Sequence, residues 1–107
     1  MSGIVTVYAT FGSAEEADRV GRTVVEERLA ACVNFLAPCR SVYRWQGAIE
    51  EGAEHPALFK TAADRAEALI ARIAELHTYD VPAAVVWPIA HAHAPYAEWV
   101  LAETEGR

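Results

Sequence analysis

The hydrophobic pattern of the chain is most distinctive over residues 32–61, where two apolar segments flank Gln46-Gly47. Both segments are rich in β-branched and aromatic residues, so the pattern predicts a hairpin of two long strands. At about 3.3 Å per residue, the first strand, residues 32–45, would be roughly 40 Å long. A domain of this size cannot cover a strand of that length.

An overlong hairpin leaves aromatic side chains and backbone N–H and C=O groups without partners in its own subunit. Such an edge can pair with a strand of another chain. The pattern therefore predicts an assembly of subunits more directly than it predicts a chemical activity. Residues 52–56, Gly-Ala-Glu-His-Pro, interrupt the return strand of the hairpin. We expect a bulge or a break there, because glycine and proline weaken the interior of a strand.

Regular elements are predicted on both sides of the hairpin. Residues 4–10 alternate and are β-branched, which indicates a first strand. Ser13 and Glu16 have the spacing of a capping box, and apolar residues at three- and four-residue intervals continue a helix to about Ala31. Asp64 and Glu67 repeat the capping pattern before a second helix. The apolar side of that helix consists of Ala66, Leu69, Ile70, Ile73 and His77.

The C-terminal part adds a strand and a helix. Residues 81–89 predict an edge strand, because Pro82 and Pro88 bracket it and proline lacks a backbone donor. A third helix, residues 95–103, would present Tyr96, Trp99 and Val100 on one face.

The element order is βαββαβ followed by a terminal helix. Two βαβ units with right-handed crossovers give an α+β, ferredoxin-like fold, in which both helices cover one face of a four-stranded antiparallel sheet. The second and fourth strands then lie at the edges. Residues 1–107 are expected to form a single domain.

Composition and charge narrow the classes of partner. The formal charge of −6 and the pI near 5.1 argue against nucleic acid or an anionic membrane, which require a basic patch. We see no signal peptide and no apolar run of the roughly 20 residues that a membrane span needs. Cys32 and Cys39 would lie about 23 Å apart on one strand, so we expect reduced thiols and a cytoplasmic protein.

Five phrases spread over the chain carry a family resemblance. They are residues 27–34 (Glu-Arg-Leu-Ala-Ala-Cys-Val-Asn), 41–50 (Ser-Val-Tyr-Arg-Trp-Gln-Gly-Ala-Ile-Glu), 60–61 (Lys-Thr), 77–82 (His-Thr-Tyr-Asp-Val-Pro) and 96–99 (Tyr-Ala-Glu-Trp). In this order and spacing they resemble the CutA family of divalent-cation tolerance proteins. The resemblance implies a ferredoxin-like subunit in a tight homotrimer, similar in outline to PII-type signalling proteins. It also implies a response to copper or other divalent metal ions, and no catalytic reaction.

Several positions depart from the copper site that the resemblance implies. Some family members have a cysteine at the end of the first strand, where this chain has Ala9. A histidine, a proline and a glutamate of the family pattern are replaced by Leu76, Thr78 and Ala83. These changes remove much of the ligand set that would hold copper. His77 is the one metal ligand that the resemblance retains.

Histidines are the candidate metal ligands in the sequence itself. His77 ends the second predicted helix, where it either binds a metal ion or provides a hydrogen-bonding group at the helix C-terminus. His91 and His93 form a His-x-His pair, which either chelates copper or belongs to a solvated connector. His55 is a further potential ligand. Carboxylates at Glu50, Glu51 and Glu54 either offer oxygen ligands to a hard cation, although without the spacing of a calcium loop, or protect the hairpin edge from unwanted pairing.

An aromatic pocket is the second candidate site. Tyr43, Tyr79 and Lys60 are predicted to line a cleft between subunits, whereas Trp45 and Trp99 are expected to pack against a neighbouring subunit. This cleft gives an alternative function, a PII-like trimeric sensor that binds a small anion or metabolite through Lys60.

A third alternative is an acylphosphatase-like hydrolase. It requires an arginine in the loop after the first strand, and residues 10–13 supply no cation. The sequence also lacks Gly-x-Ser-x-Gly, a phosphate-binding glycine loop and His-Glu-x-x-His, so it does not indicate an enzyme.

Overall fold

The structure is a computed structural model that describes residues 2–105. Within this part of the chain, five strands (β1 to β5) span Ile4–Phe11, Cys32–Phe35, Cys39–Trp45, Ala48–Ala62 and Ala84–Pro88. Three helices (α1 to α3) span Ala14–Glu26, Ala66–Leu76 and Ala94–Glu103, and a 3₁₀ turn, Ala63–Arg65, precedes α2. None of these helices is long and apolar enough to cross a membrane.

The strands pair in the order β2, β4, β1, β5, and all neighbours are antiparallel. Strand β1 is central, pairing with β4 from Ile4 opposite Ala62 to Phe11 opposite His55. Strands β2 and β5 lie at the two edges, and β3 pairs with the first half of β4. The predicted ferredoxin-like arrangement is therefore confirmed. The edge position of β5 also suits Pro88, whose missing N–H would interrupt a central strand.

The main core lies between one face of the sheet and helices α1 and α2. Apolar residues at every second position of β1 and β4 meet the apolar sides of both helices. The large side chains that are fully buried there are Val7, Phe11, Val20, Val24, Phe59, Leu69 and Ile73. Helix α3 forms a smaller cluster with Ile4, through Ala97 and Val100.

The predicted interruption of the hairpin lies on the outgoing strand, and not on the return strand. Strand β4 runs without a break through Pro56, whereas residues 36–38 separate β2 from β3. Phe35 pairs with Ala57 and Cys39 with Glu54, so three residues on the outgoing side face two on β4. This bulge has a physical reason, because the Pro56 carbonyl accepts a hydrogen bond from Leu36 N at 3.0 Å. Proline has no backbone N–H to donate towards this same side. In an unbroken ladder, one hydrogen bond between β4 and the outgoing strand would therefore be missing at Pro56.

Two helix boundaries differ from those predicted. Helix α1 ends at Glu26 and not near Ala31, because Arg28 adopts a left-handed conformation (φ 63°) that a helix cannot continue. Helix α2 begins without a side-chain cap, since Asp64 lies inside the preceding 3₁₀ turn. The prediction for α1 is confirmed at its start, where the Ser13 hydroxyl accepts a hydrogen bond from Glu16 N at 3.1 Å.

Beyond the main sheet the hairpin continues as a two-stranded arm, which comprises residues 39–45 and 48–54. Its strands pair from Cys39 opposite Glu54 to Trp45 opposite Ala48. Gln46 and Gly47 form the turn with φ of 50° and 84°, a left-handed pair that suits a two-residue hairpin. The arm accounts for the elongated outline of the molecule, 45 × 25 × 22 Å.

Candidate functional site

His77 lies immediately after α2, with its side chain fully buried against β1. Its Nε2 atom is 2.7 Å from the Thr10 carbonyl oxygen, which can only accept, so Nε2 carries a proton. Its Nδ1 atom accepts a hydrogen bond from Tyr79 N at 3.1 Å. The ring stacks on Phe11 with a centroid distance of 4.8 Å. His77 is therefore a hydrogen-bonded core residue that ties the loop after α2 to β1.

A buried carboxylate holds the same loop against the start of α1. Glu16 Oε2 accepts hydrogen bonds from Thr78 N at 2.8 Å and from the Thr78 hydroxyl at 3.1 Å, and Oε1 accepts from Gly12 N at 3.3 Å. Burial raises the pKa of Glu16, but the hydrogen bonds from Thr78 and Gly12 outweigh it, so the pKa lies below its ordinary value. The second half of the predicted capping box is thus replaced by bonds to Gly12 and Thr78.

The residues present do not fit the copper site that the resemblance implied. Both ring nitrogens of His77 are engaged, and the positions that would supply further ligands are Ala9, Leu76 and Ala83. Across residues 2–105 no three His, Cys, Asp or Glu side chains lie close enough to hold a metal ion. His91 and His93 are exposed in the connector before α3. The hydrogen-bonding interpretation of His77 fits, although its partners are Thr10 on β1 and Tyr79 in the following loop and not the last carbonyls of α2.

An open pocket of about 420 Å³ lies between the arm and the loop that follows α2. We call it the arm pocket. Its lining includes three aromatic residues and three carboxylates, which are Tyr43, Trp45, Tyr79, Glu50, Glu54 and Asp80. All of them come from a single subunit. Tyr43 and Tyr79, which are predicted to line a cleft between subunits, both line this pocket of one subunit, and the cleft itself stays a prediction.

The strand alternation of the arm decides which charges face the arm pocket. Tyr43 pairs with Glu50, and residues two apart on each strand share their face. Glu51 lies on the opposite face, where it forms an ion pair with Arg40 at 2.9 Å. No lysine or arginine is among the pocket-lining residues in the described chain, so the lining is acidic.

Lys60 does not belong to the arm pocket. It lies six residues beyond Glu54 on β4, about 20 Å along the strand. Its Nζ atom donates a hydrogen bond to Asn34 Oδ1 at 3.1 Å across the β2–β4 pair. Within one subunit Lys60 thus lies apart from Tyr43 and Tyr79, and the cleft between subunits that would combine the three stays a prediction. An acidic pocket also does not favour the small anion that the PII-like alternative requires.

Tyr79 is held in the arm pocket from several sides. Its hydroxyl donates to Glu54 Oε2 at 3.2 Å, and its ring contacts the His77 ring with a centroid distance of 4.6 Å. A Cβ atom at Gly12 would lie 3.3 Å from the Tyr79 hydroxyl oxygen, so only glycine leaves full room for this ring. Burial, the negative charge of Glu54 and the hydrogen bond to it raise the pKa of Tyr79.

Sequence reasoning missed the role of three carboxylates. For Glu50 and Glu54 the sequence suggests a hard-cation ligand or edge protection and no part in an aromatic pocket, but both face the arm pocket, and Glu54 also accepts a hydrogen bond from the Thr10 hydroxyl at 3.3 Å. Asp80 was not singled out. The sequence does contain a signal for the two glutamates. Glu50 and Glu54 are separated by an even number of residues on one strand, so they share a face, and Glu51 lies on the opposite face.

Other singled-out residues lie apart from this site. Trp99 and Tyr96 are more than a third exposed and contact each other on α3 with a centroid distance of 5.8 Å, so of the predicted face Val100 alone is buried. Cys32 and Cys39 are both free thiols, in agreement with the prediction.

The comparisons with known proteins agree with the fold and the phrases. The fold places this chain in the class of small ferredoxin-like proteins with a projecting two-stranded arm. The family model described as CutA1 divalent ion tolerance protein matches residues 5–103. The chain belongs to this CutA family of divalent-cation tolerance proteins, as the five phrases predicted.

Individual relatives are similar over nearly their whole length. The divalent-cation tolerance protein CutA of Pyrococcus horikoshii is 42% identical over 102 residues, which cover 95% of this chain and 99% of that protein. The protein of the same description from Thermus thermophilus is 41% identical over 98 residues, covering 92% and 95%. The crystal structure of CutA from Xylella fastidiosa superposes with a TM-score of 0.93 at 35% identity, covering 96% of this chain and 99% of that one.

Proposed function

We propose that this chain acts in tolerance to divalent metal ions as a homotrimer without catalytic activity of its own. The relation to divalent cations rests on the description of the family and of its members. The number of three copies rests on the family resemblance noted in the sequence. The observation that supports assembly is the arm, which one subunit leaves largely uncovered.

The arm exposes both apolar side chains and backbone edges. Val42 and Ile49 lie on the face opposite the arm pocket and are 60% and 67% exposed. Within residues 2–105, β3 and the first half of β4 pair with each other and with no third strand. Unpaired edges with exposed apolar residues are the features that another chain covers in an assembly.

The uncovered face of the main sheet adds to this surface. Trp87 on the edge strand β5 is 47% exposed and stacks on Tyr8 with a centroid distance of 4.9 Å. Val85, two residues earlier, is exposed to the same degree. Large exposed aromatic and aliphatic groups are enriched at the centres of subunit interfaces.

The absence of catalysis is part of the proposal and has a structural argument. Among the described residues, Glu16 and His77 form an acid–histidine pair, with 3.3 Å between Oε2 and Nδ1. Because the His77 side chain is fully buried and both of its nitrogens are engaged, it cannot reach a substrate.

Sedimentation equilibrium of the purified protein tests the assembly. We expect a mass three times the 11.7 kDa of one chain at micromolar concentration. Replacing Val42 and Ile49 by lysine should shift the equilibrium towards monomer, because burial of each contributes about 1.5–3 kcal/mol. Glu50→Gln, on the same strand but on the other face, is the matched control and should leave the trimer intact. A monomeric wild-type protein at micromolar concentration would refute the proposal.

A further inference from the structure

The arm pocket has a combination of walls that the proposed function does not use. Three aromatic rings and three carboxylates share one concavity of about 420 Å³, which is within the size range of small-molecule sites. Lysine and arginine are missing from its described lining, so its electrostatic potential favours a positively charged ligand. The pocket therefore differs in sign from the anion site that Lys60 would have provided.

The aromatic share of the lining distinguishes between two kinds of cation. A calcium or magnesium ion requires six or more oxygen ligands at short distance, and the pocket carboxylates do not converge as a ligand set. Aromatic rings supply no metal ligands, but they attract large, weakly hydrated ammonium groups. We infer that the arm pocket binds a small organic cation that carries an alkylated ammonium group.

Parts of the pocket are held in place before any ligand arrives. Glu54 Oε2 accepts hydrogen bonds from the hydroxyls of Thr10 and Tyr79, which fixes this carboxylate between β1 and the loop after α2. The ring of Tyr79 is fixed in turn by His77. Tyr43 and Trp45 form the other wall, on alternate residues of β3. A site whose walls are fixed in the free protein loses little entropy on binding.

The inference does not depend on the proposed function. The inference is argued from side chains of one chain, and no metal ion is among the interactions that it invokes. Sedimentation reports on the assembly, and ligand titration reports on the pocket, so the two proposals fail in different experiments.

Calorimetric titration of the full-length wild-type protein with choline is the first test. Its control ligand is the uncharged isostere in which a tert-butyl group replaces the trimethylammonium group. We expect saturable binding of choline, and an affinity for the isostere that is at least about fivefold weaker, because the isostere lacks cation–π and Coulomb attraction. Equal binding of the two ligands, or no saturable binding of choline, would overturn the inference.

Matched variants locate the binding site. Glu50→Gln should weaken choline binding roughly two- to fivefold, and Trp45→Leu roughly 2- to 30-fold, which is the range of cation–π contributions. Glu51→Gln, the adjacent carboxylate on the opposite face of the same strand, should change binding less than about twofold. Equal effects of Glu50→Gln and Glu51→Gln would overturn the inference, as would displacement of choline by calcium at equal concentration.

Discussion

Replacement of Glu16 by glutamine tests whether the buried network after α2 is a principal support of the fold. Glu16 is 8% exposed, and its carboxylate accepts three hydrogen bonds from Thr78 and Gly12. Glutamine has nearly the same volume, so the substitution leaves the packing of α1 unchanged. What it changes is the charge and one of the two acceptor oxygens.

The expected loss follows from the donors that surround this side chain. The amide nitrogen of glutamine cannot accept, so it must face either Gly12 N or Thr78 N, and one partly buried N–H then loses its partner. A hydrogen bond to a charged group contributes about 1.5–3 kcal/mol, and an unpaired buried donor costs about 1–3 kcal/mol. Because the two N–H groups are only partly buried, we use the first of these figures and expect Glu16→Gln to lower the free energy of unfolding by about 1.5–3 kcal/mol per subunit near neutral pH.

The effect should depend on pH with a definite sign. The pKa of Glu16 in the folded protein lies below its ordinary value of 4.5, so the folded state favours the ionised form. Its contribution is fully present above pH 4.5 and is lost as the pH falls through the folded-state pKa. Glutamine does not titrate. The difference between wild type and variant should therefore be largest near neutral pH and shrink in acid.

Urea denaturation followed by circular dichroism measures this difference. Wild type and variant are compared at one protein concentration, because assembly stabilises the folded state by mass action. Glu15→Gln is the matched control, an exposed neighbour in the first turn of α1 that should change stability by less than about 0.5 kcal/mol. The reasoning is refuted if both variants lose the same stability, or if the loss in Glu16→Gln is independent of pH.

Three further predictions follow from the same region. Copper affinity in a calorimetric titration should be equal in wild type and His77→Gln, because both ring nitrogens are engaged within the fold, and a large drop would restore His77 as a ligand. Lys60→Ala should leave choline binding and the oligomer unchanged, since Lys60 contacts Asn34 outside the arm pocket, whereas lost binding would contradict the assignment of the pocket. Glu54→Gln should lower the pKa of Tyr79 towards 10.0 in an NMR titration, and an unchanged value would show that burial alone raises it.

The order of the sheet could be predicted from the sequence because local patterns determine it. Alternation, helical periodicity and right-handed crossovers leave few arrangements for a βαββαβ chain. The bulge was placed on the wrong strand for a physical reason. The signal in the sequence is Pro56, which lies on β4. Because Pro56 cannot donate a hydrogen bond to the outgoing strand, it is the outgoing strand that bulges, between β2 and β3.

The candidate site was only partly predictable from the sequence. Tyr43 and Tyr79 are 36 residues apart and meet through the fold, and the family phrases brought both to attention. Lys60 is predicted to join them in a cleft between subunits, and within one subunit it lies instead on the β2–β4 pair beside Asn34. The burial of His77 could not be predicted from the sequence either, because its hydrogen-bond partner Thr10 lies near the end of β1, which is distant in sequence.

The extra residue opposite Pro56 makes the hairpin change its alternation between β2 and β3. In β2 the even-numbered residues share a face with the even-numbered residues of β4, whereas in β3 the odd-numbered residues do. Deleting one residue from 36–38 would leave two residues opposite two, so the ladder would continue without a bulge and Tyr43 would still lie opposite Glu50. A bulge bends the strand that carries it. The surplus residue therefore sets the direction in which the arm projects, and its loss would straighten the hairpin without changing which charges face the arm pocket.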